Sequence, residues 1–474
     1  MEYSDHGFER FQESLKPFAQ SDPLLWRLRD SLYSALAYRM IGFQPEKRHA
    51  AGIWSWTSWA ATELLKSRSP AGIAAPTPFS FLFYGSHGAH FETLLPVLRE
   101  VASSDKVTAW CLALEESQIH ELSSIKNTQV LSVPDALRQV SRADHTANTV
   151  TAVKSSFRLS RIAPEHKAEI GRARSLVAQT VLDYLLWRQF WSRIPLSRDS
   201  AVFVTSESSP IAKGYLEAAL NTGARAIHFC HGLRHSTHQV TNATDFCPFS
   251  EVDRRWFAER VGPNTTVHAI GNPRVEQMRE AVPPTRRREP GQPFRLLFLN
   301  CGVEDPYTQE MLQQDCGILG SDLVTSAKYI LRLRPHPRES AETLRRAFER
   351  WNVRVDELSR GSLAEDIGWC DAAATQCSTA LLEAAVTGRA CYWINARADG
   401  LCGTGELQSV GLGQLITTAE DWMNATNDMC TLRTAAPAVV TDDLLRRLKI
   451  LPAQHGSWLS ALGFARVTQP DSTR

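Results

Sequence analysis

The fold class is decided by residues 371–394, whose sequence is DAAATQCSTALLEAAVTGRACYWI. The small apolar residues that end at Thr375 predict a short buried strand, and a helix follows with Ser378 or Thr379 as its cap. Gly388 ends that helix, and the residues ACYWI predict a second strand. Two strands joined by a helix form the repeating unit of a parallel α/β sheet.

The same alternation of strand and helix extends along most of the chain. The first clear strand is FSFLFY, and the glycine turn and helical run that follow it are typical of the start of a Rossmann-like domain. Predicted strands lie at 79–84, 107–114, 129–133, 201–205, 226–230, 245–250 and 267–270, and then at 295–300, 329–334, 352–355, 372–375 and 390–394. We therefore predict an α/β protein with two Rossmann-like domains that face a cleft.

The segment PPTRRREPGQP is the best linker in the sequence because proline, glycine and charge are concentrated there. We expect its arginine run, Arg286 to Arg288, to be solvated. The predicted division is an N-terminal helical extension at 1–75, a Rossmann-like domain at 76–282 with a helical insertion at about 135–198, the linker at 283–293, a second Rossmann-like domain at 294–440, and a helical segment at 441–474.

Composition excludes several classes of protein. The net charge of +1 over 474 residues gives no basic field for nucleic acid. The sequence has no run of about 18 apolar residues, so we predict no transmembrane helix. The 10 cysteines lack paired zinc spacing, so we expect reduced thiols. The acidic, polar first residues do not resemble a signal peptide, and we expect a cytoplasmic protein.

Tryptophan is concentrated in the N-terminal extension, at Trp26, Trp54, Trp56 and Trp59. One interpretation is that these rings pack a helical cap onto the domain behind it. The other is peripheral contact with the inner face of a membrane or with a lipid-linked ligand, because tryptophan suits a boundary between water and apolar material.

The start of the predicted helix after Thr375 is a candidate anion site. Its backbone N–H groups and positive dipole end face the crevice at the strand ends, and the hydroxyls of Ser378 and Thr379 add donors. Gln376 lies in the turn before them, and Glu383 lies about one turn along, where its carboxylate could accept from a diol. The alternative is simple helix capping with a solvated Glu383.

Arg334-Pro335-His336-Pro337 ends the predicted strand YILRLR. The two prolines fix the backbone around His336, which holds its imidazole in place at low entropic cost. The neighbouring Arg334 could pair with phosphate oxygens. The alternative is a rigid turn that carries a surface histidine.

His231 and Gly232 follow the strand AIHFC in the first domain. Gly232 permits close backbone approach, and His231 would face His336 across the cleft if the two domains close on each other. His231 and His235 also have the i, i+4 spacing of a metal pair, but no carboxylate or cysteine completes a ligand set, so we expect no metal.

The turn after the strand VHAIG contributes two weaker candidates, Asn272 and Arg274. With the other three motifs this turn forms an ordered set: HG, GNPR, RPHP and ST-x3-EA. The set resembles bacterial capsule transferases of the polysialyltransferase type and CDP-glycerol glycerophosphotransferases. The resemblance covers roughly residues 200–400 by motif, and it implies the two-domain GT-B architecture.

The resemblance implies a role for each matching residue. His231 corresponds to the general base on an acceptor hydroxyl, and His336 to a histidine that contacts donor phosphate or assists the leaving group. Ser378 and Thr379 correspond to a pair that holds donor phosphate, and Glu383 to an acid near the ribose. The acidic-acidic-glycine motif of sialyltransferases is absent, and its nearest candidate is Glu207 in TSESS.

These residues together predict a metal-independent glycosyltransferase without a cofactor. It would move a sugar, or a sugar-like phosphate unit, from a nucleotide-activated donor to a hydroxyl of a cell-surface glycan or lipid-linked acceptor. CMP- and CDP-linked donors are candidates. The alternatives are a nucleotide-sugar epimerase or hydrolase of the same fold and a non-catalytic subunit of a polysaccharide assembly complex. A dehydrogenase is excluded because no GxGxxG follows either opening strand.

Overall fold

The structure is a computed structural model of the 474-residue chain. It describes residues 5–40, 79–85, 89–105, 107–114, 116–132, 136, 140–163, 166–194, 196–234, 241–285, 288–289, 291–301, 309–320, 328–336, 339–398, 403–431, 439–451 and 457–464. The predicted tryptophan contacts of Trp54, Trp56 and Trp59 lie outside these residues.

The first sheet contains seven strands within the described residues, in the order β3-β2-β1-β4-β5-β6-β7, and every ladder is parallel. The strands are β1 (Phe79–Tyr84), β2 (Val107–Ala113), β3 (Thr128–Ser132), β4 (Ala201–Val204), β5 (Arg225–Phe229), β6 (Asp245–Cys247) and β7 (Thr266–Val267). The strands β2 and β3 lie on one side of β1, and β4 to β7 lie on the other side. The strand order therefore reverses between β1 and β4.

The second sheet contains six parallel strands in the described part of the chain, in the order β10-β9-β8-β11-β12-β13. They are β8 (Phe294–Leu299), β9 (Tyr329–Arg334), β10 (Glu357–Leu358), β11 (Ala372–Thr375), β12 (Ala390–Ile394) and β13 (Gln414–Ile416). The order of this sheet reverses between β8 and β11. Alternate residues of its strands belong to two apolar clusters, one on each face, which is how a buried parallel sheet packs.

Helices cover both sheets. They are Asp5–Leu15, Pro23–Arg27, Arg29–Met40, Ala89–Ala102, Glu116–Ser123, Arg142–Ile162, Lys167–Arg172, Arg174–Trp191, Pro210–Thr222, Glu251–Ala258, Pro273–Ala281, Gln309–Gly320, Ala341–Arg350, Leu363–Trp369, Ala380–Ala385, Thr404–Ser409, Ala419–Thr431, Asp442–Arg447 and Trp458–Ala461, with a 3-10 turn at Lys16–Phe18. None of the described helices is long and apolar enough to cross a membrane.

The described N-terminal helices pack on the first domain. Phe11 and Tyr33 are fully buried in the same cluster as Trp187 of the helical insertion. Asp30 also forms a buried ion pair of 2.9 Å with Lys213, on the helix that follows β4. These contacts attach the first helices to the sheet through one apolar layer and one charge pair.

One sequence prediction for the second domain is wrong, and one strand was missed. The strand predicted at 352–355 is a turn and an extended segment, and the edge strand β10 begins only at Glu357. Asn352 has a φ of 59°, a left-handed conformation that interrupts a strand. The short strand β13 was not predicted.

Within the described residues, the predicted helical segment at 441–474 contains two short helices, Asp442–Arg447 and Trp458–Ala461. The second helix returns to the first domain, where Trp458 and Leu459 join the cluster beneath β1 and β2. Glu100 accepts a hydrogen bond of 2.8 Å from the N–H of Trp458 at the start of this helix. The last described residues therefore belong to the core of the first domain, although they follow the second in sequence.

The predicted linker is packed on the second domain at one of its arginines. Arg288 is only 8% exposed, and its guanidinium donates to the backbone carbonyls of Gln292 and Met429. The expectation that this arginine is solvated is therefore wrong. Arg286 and Arg287 lie outside the described residues.

Candidate functional site

Parallel sheets bind ligands beyond the carboxyl ends of their strands, at the point where the strand order reverses. In the second sheet this point lies between β8 and β11, which end at Leu299 and Thr375. In the first sheet it lies between β1 and β4, and the strand that follows β4 leads to His231. The site predicted from sequence therefore falls where this topology places ligands.

His231 is held by the backbone at the end of β4. Its Nδ1 lies 2.9 Å from the carbonyl oxygen of Thr205. Because a carbonyl can only accept, Nδ1 carries the hydrogen, and in the neutral ring Nε2 carries the lone pair that a general base needs. This geometry gives His231 the tautomer that the proposed role requires.

His90 supports the ring of His231 and was not predicted from sequence. The two imidazole rings are in contact, with centroids 3.6 Å apart and planes at 31°. Nδ1 of His90 lies 3.1 Å from the hydroxyl of Thr205, so one threonine binds both histidines, through its carbonyl and its hydroxyl. The only sequence signal was a histidine at the start of the helix after β1.

The HG turn contacts the second domain directly. The backbone N–H of Leu233 donates a 3.0 Å hydrogen bond to Oγ1 of Thr379. A Cβ placed on Gly232 would lie 3.3 Å from the same oxygen, which is tighter than ordinary contact. The close approach expected at Gly232 is therefore present, and the group that approaches is the threonine predicted to hold donor phosphate.

The turn at Ser378 and Thr379 has a different geometry from the predicted cap. The helix begins at Ala380, and Thr379 precedes it in a helical conformation without a side-chain capping bond. Oγ of Ser378 accepts from the N–H of Ala380 at 3.3 Å, and the N–H of Ser378 donates to Oγ1 of Thr375 at 3.1 Å. Ser378 thus bonds within its own turn, whereas Thr379 binds the other domain.

Arg274 makes a second bridge between the domains. Asn272 caps the helix that contains it, and Nδ2 of Asn272 donates to the carbonyl of Cys230 beside the HG turn at 3.0 Å. Nη1 of Arg274 lies 3.3 Å from a carboxylate oxygen of Glu383, and its Nε lies 3.0 Å from Glu92. The GNPR arginine therefore pairs with the acid predicted to lie near the ribose.

Glu383 is fully buried. Burial raises the pKa of Glu383 to about 7, while the charge of Arg274 opposes this rise and that of Glu92 adds to it. The alternative of a solvated surface charge is excluded by this burial. A carboxyl group with such a pKa changes its charge near neutral pH, which is unusual for glutamate.

Arg334 and His336 are placed at the carboxyl end of β9. Nη1 of Arg334 donates to Oγ of Ser359 at 3.0 Å and to the carbonyl of Gly361 at 2.9 Å, and it also binds Asp366. The backbone N–H of His336 donates to Glu339 at 3.3 Å. Arg334 therefore has several protein partners, none of which was predicted from the sequence.

Glu207 is buried and holds a loop of the first domain. It accepts from Nδ1 of His228 at 2.9 Å and from the N–H of Asn242 at 2.7 Å. Burial opposes ionisation, but these hydrogen bonds hold the pKa of Glu207 below its usual value. The described residues contain no group of histidine, cysteine and acidic side chains that could bind a metal ion, and His235 and His238 lie outside them.

Two amide side chains lie where the second sheet reverses its order. Gln376, predicted as a donor-site residue, follows β11, and Asn300 follows β8. Both are buried, at 2% and 4% exposure. Asn300 was not predicted as a site residue. The signal that could have identified it is its position as a polar residue immediately after an apolar strand.

A groove of about 680 Å³ lies at the edge of the second domain beside β10, and its lining includes neither His231 nor Gly232. It is lined by Arg332, Arg345, Asp356, Glu357, Leu358, Arg360, Gly361, Glu365 and Asp366. Arginines and carboxylates are mixed along it, and Arg332 is paired with both Glu357 and Asp366. This charge balance does not favour an anionic ligand, so we place the candidate site between the domains.

No protein-family model matches the chain, and no curated protein matches its sequence. Among solved structures it is similar to a UDP-GlcNAc 2-epimerase from Neisseria meningitidis bound to UDP-GlcNAc, with a TM-score of 0.50, 11% identity, and coverage of 82% of this chain and 98% of that chain. A putative UDP-N-acetylglucosamine 2-epimerase from Listeria monocytogenes gives a TM-score of 0.50, 13% identity, and coverage of 82% and 94%.

At such low identity the likeness concerns the fold alone. Each match extends over both parallel sheets, and the architecture is therefore that of the two-domain GT-B proteins. The predicted fold class is confirmed.

Proposed function

We propose that this protein is a nucleotide-sugar-dependent glycosyltransferase that moves a sugar, or a sugar-like phosphate unit, to a hydroxyl of a cell-surface glycan or glycoconjugate. The observation that carries the proposal is the junction between the domains. There the HG turn with its oriented His231 contacts Thr379, one of the donor-site candidates. This contact supports a single site that contains the proposed base and the proposed phosphate-binding turn.

In this mechanism the acceptor hydroxyl attacks the anomeric carbon, and its proton passes to Nε2 of His231. The bond between that carbon and the phosphate oxygen breaks, and the nucleotide leaves with the electron pair. Ser378, Thr379 and the backbone N–H groups beside them would stabilise the phosphate charge, with His336 and Arg334 on the same sheet edge. Glu383 would accept from the ribose.

Donor and acceptor would occupy opposite sides of the junction. The second domain would hold the nucleotide sugar, with CMP- and CDP-linked donors among the candidates. The first domain would hold the acceptor, which includes lipid-linked acceptors at a membrane surface. No metal or cofactor takes part in this mechanism, because positioned N–H groups and side chains supply the charge stabilisation.

A second candidate is epimerisation or hydrolysis of a nucleotide sugar. The two similar structures reported above are named as a UDP-GlcNAc 2-epimerase and a putative UDP-N-acetylglucosamine 2-epimerase. The specific observation in its favour is Glu383, whose pKa of about 7 suits proton transfer at neutral pH. A third candidate is a non-catalytic subunit. That function would not explain why a hydrogen bond holds His231 in one tautomer.

The test is a panel of CMP-, CDP-, UDP- and GDP-sugars, incubated with the protein with and without a glycan acceptor. Transferase activity predicts nucleotide release that depends on the acceptor. Epimerase activity predicts an altered sugar configuration in the NMR spectrum without an acceptor, and hydrolysis predicts nucleotide release without one. Binding of a nucleotide without turnover in any arm would contradict both enzyme proposals.

Metal independence has its own test. We expect the turnover found in that panel to persist in EDTA, because the phosphate charge is neutralised by protein groups. Loss of activity in EDTA that manganese restores would show that a metal takes part.

A further inference from the structure

We propose that Asn300 and Gln376 form a subsite that recognises hydroxyl groups of the donor's sugar, and not its phosphates. This inference rests on the proposed function and names the part of the donor that these two residues bind. It concerns two amide side chains at the point where the second sheet reverses its order.

The register of the sheet places the two residues opposite each other. β8 and β11 are paired in parallel, with Phe298 opposite Ala374. The hydroxyl of Thr375 continues this pairing, because it donates to the carbonyl of Leu299 at 2.6 Å. One further step along each strand reaches Asn300 and Gln376, and neighbouring strands are about 4.8 Å apart.

Three buried polar atoms of this pair have no hydrogen-bond partner among the residues that the structure describes. They are Oδ1 of Asn300 and both Oε1 and Nε2 of Gln376. Buried amide groups are nearly always paired in folded proteins, and each unpaired group destabilises the fold. An amide with both ends unpaired, at the reversal point of the sheet, is therefore best explained by a ligand that supplies the missing partners.

The orientation of Asn300 is fixed by its other contacts. Its backbone N–H donates to the carbonyl of Arg334 at 3.0 Å, and its Nδ2 donates to Glu339. Since the carboxylate can only accept, the amide nitrogen must face Glu339, and Oδ1 is the atom left unpaired. Asn300 thus presents an unpaired acceptor to a ligand.

The unpaired atoms define the chemistry of their ligand. Two of them, Oδ1 of Asn300 and Oε1 of Gln376, are acceptors, and one, Nε2 of Gln376, is a donor. A phosphate group has only acceptor oxygens when ionised and would leave both carbonyl oxygens unsatisfied. Hydroxyl groups both donate and accept, so two hydroxyls of a sugar ring can satisfy all three atoms.

The test compares a nucleotide with its sugar conjugate. Calorimetry would measure the affinity of UDP against UDP-N-acetylglucosamine, and of CMP against CMP-N-acetylneuraminic acid, for the wild type and for Gln376→Met. We expect the variant to bind the matching nucleotide sugar about tenfold more weakly, the effect of one or two lost hydrogen bonds, and to bind the free nucleotide as the wild type does.

A stability measurement separates recognition from misfolding. Methionine has nearly the volume of glutamine and removes two unpaired polar atoms, so Gln376→Met should retain or raise the melting temperature without ligand. Gln414→Met is the matched control, because Gln414 begins the edge strand β13, which is separated from β11 by β12. It should change neither affinity.

Each other outcome overturns the inference in its own way. Equal weakening of nucleotide and nucleotide sugar would place phosphate at Gln376, and no weakening of either would mean that water fills the site. A wild type that binds nucleotide but gains nothing from the sugar would refute the subsite and leave the nucleotide site in place. A wild type that binds neither these four probes nor the CDP- and GDP-sugars of the panel would contradict the proposed function itself.

Discussion

Replacement of Glu383 by glutamine tests the most unusual charge in the candidate site. The side chain is fully buried, lies 3.3 Å from Nη1 of Arg274, and has a pKa raised by burial to about 7 from an ordinary value of 4.5. Glutamine keeps the shape of the side chain but cannot ionise. The variant therefore isolates the cost of ionising one buried carboxyl.

The magnitude follows from the difference in proton binding between the folded and unfolded chains. Between pH 4.5 and 7 the folded protein holds a proton on Glu383 that the unfolded chain has lost, so this group makes stability fall as pH rises through that range. At about 1.4 kcal/mol per pKa unit, the wild type should lose about 2–3 kcal/mol relative to Glu383→Gln between pH 5 and pH 8.

The assay is urea unfolding at pH 5, 6, 7 and 8, followed by tryptophan fluorescence. Other buried acids with a raised pKa, such as Asp183 and Asp253, are present in both proteins, and their effects cancel in the difference. Glu349→Gln serves as the control, because that carboxylate is half exposed on a helix of the same domain. A difference between wild type and Glu383→Gln that stays constant with pH would refute the burial argument.

Three further predictions concern nucleotide affinity, turnover and the free energy of unfolding. Ser378→Ala combined with Thr379→Ala should weaken nucleotide binding about tenfold, measured by calorimetry, because charge-assisted hydrogen bonds to phosphate are lost. His231→Ala should reduce turnover by roughly two to four orders of magnitude with nucleotide affinity and melting temperature nearly unchanged, and wild-type turnover would end the base assignment. Lys213→Met should lower the free energy of unfolding by about 3–5 kcal/mol by leaving Asp30 buried and unpaired, and adding Asp30→Leu should restore most of it in the same urea assay.

The central strands were predictable because their apolar residues occur in short runs bounded by glycine, proline or charge. The limits predicted for the strands at 79–84, 329–334, 372–375 and 390–394 agree with the structure. The edges were less predictable, because an edge strand has little apolar pattern of its own. Both errors in the second domain, at 352–355 and at β13, lie on strands at the edges of the sheet.

The turns that form the candidate site were predictable one at a time. The sequence identified the strand ends that carry His231, Arg274 and Thr379, since a polar residue after an apolar strand is a local signal. It could not identify which turn contacts which, because Leu233 and Thr379 are 146 residues apart and their hydrogen bond depends on the packing of two domains. The partners of Arg334 were hidden because they lie 25 to 32 residues further along the chain and reach it through packing within the second domain.

The contacts between the domains bear directly on how a donor could bind. Thr379 accepts from Leu233, and its own hydroxyl hydrogen can still be donated to a phosphate. Glu383 is paired with Arg274, and a carboxylate has acceptor sites for a ribose hydroxyl as well as for one guanidinium. Neither contact has to break for a nucleotide to bind. The donor site proposed for the second domain is therefore shaped in part by the first, and the affinity for nucleotide should depend on residues such as Arg274 that lie outside the domain that holds it.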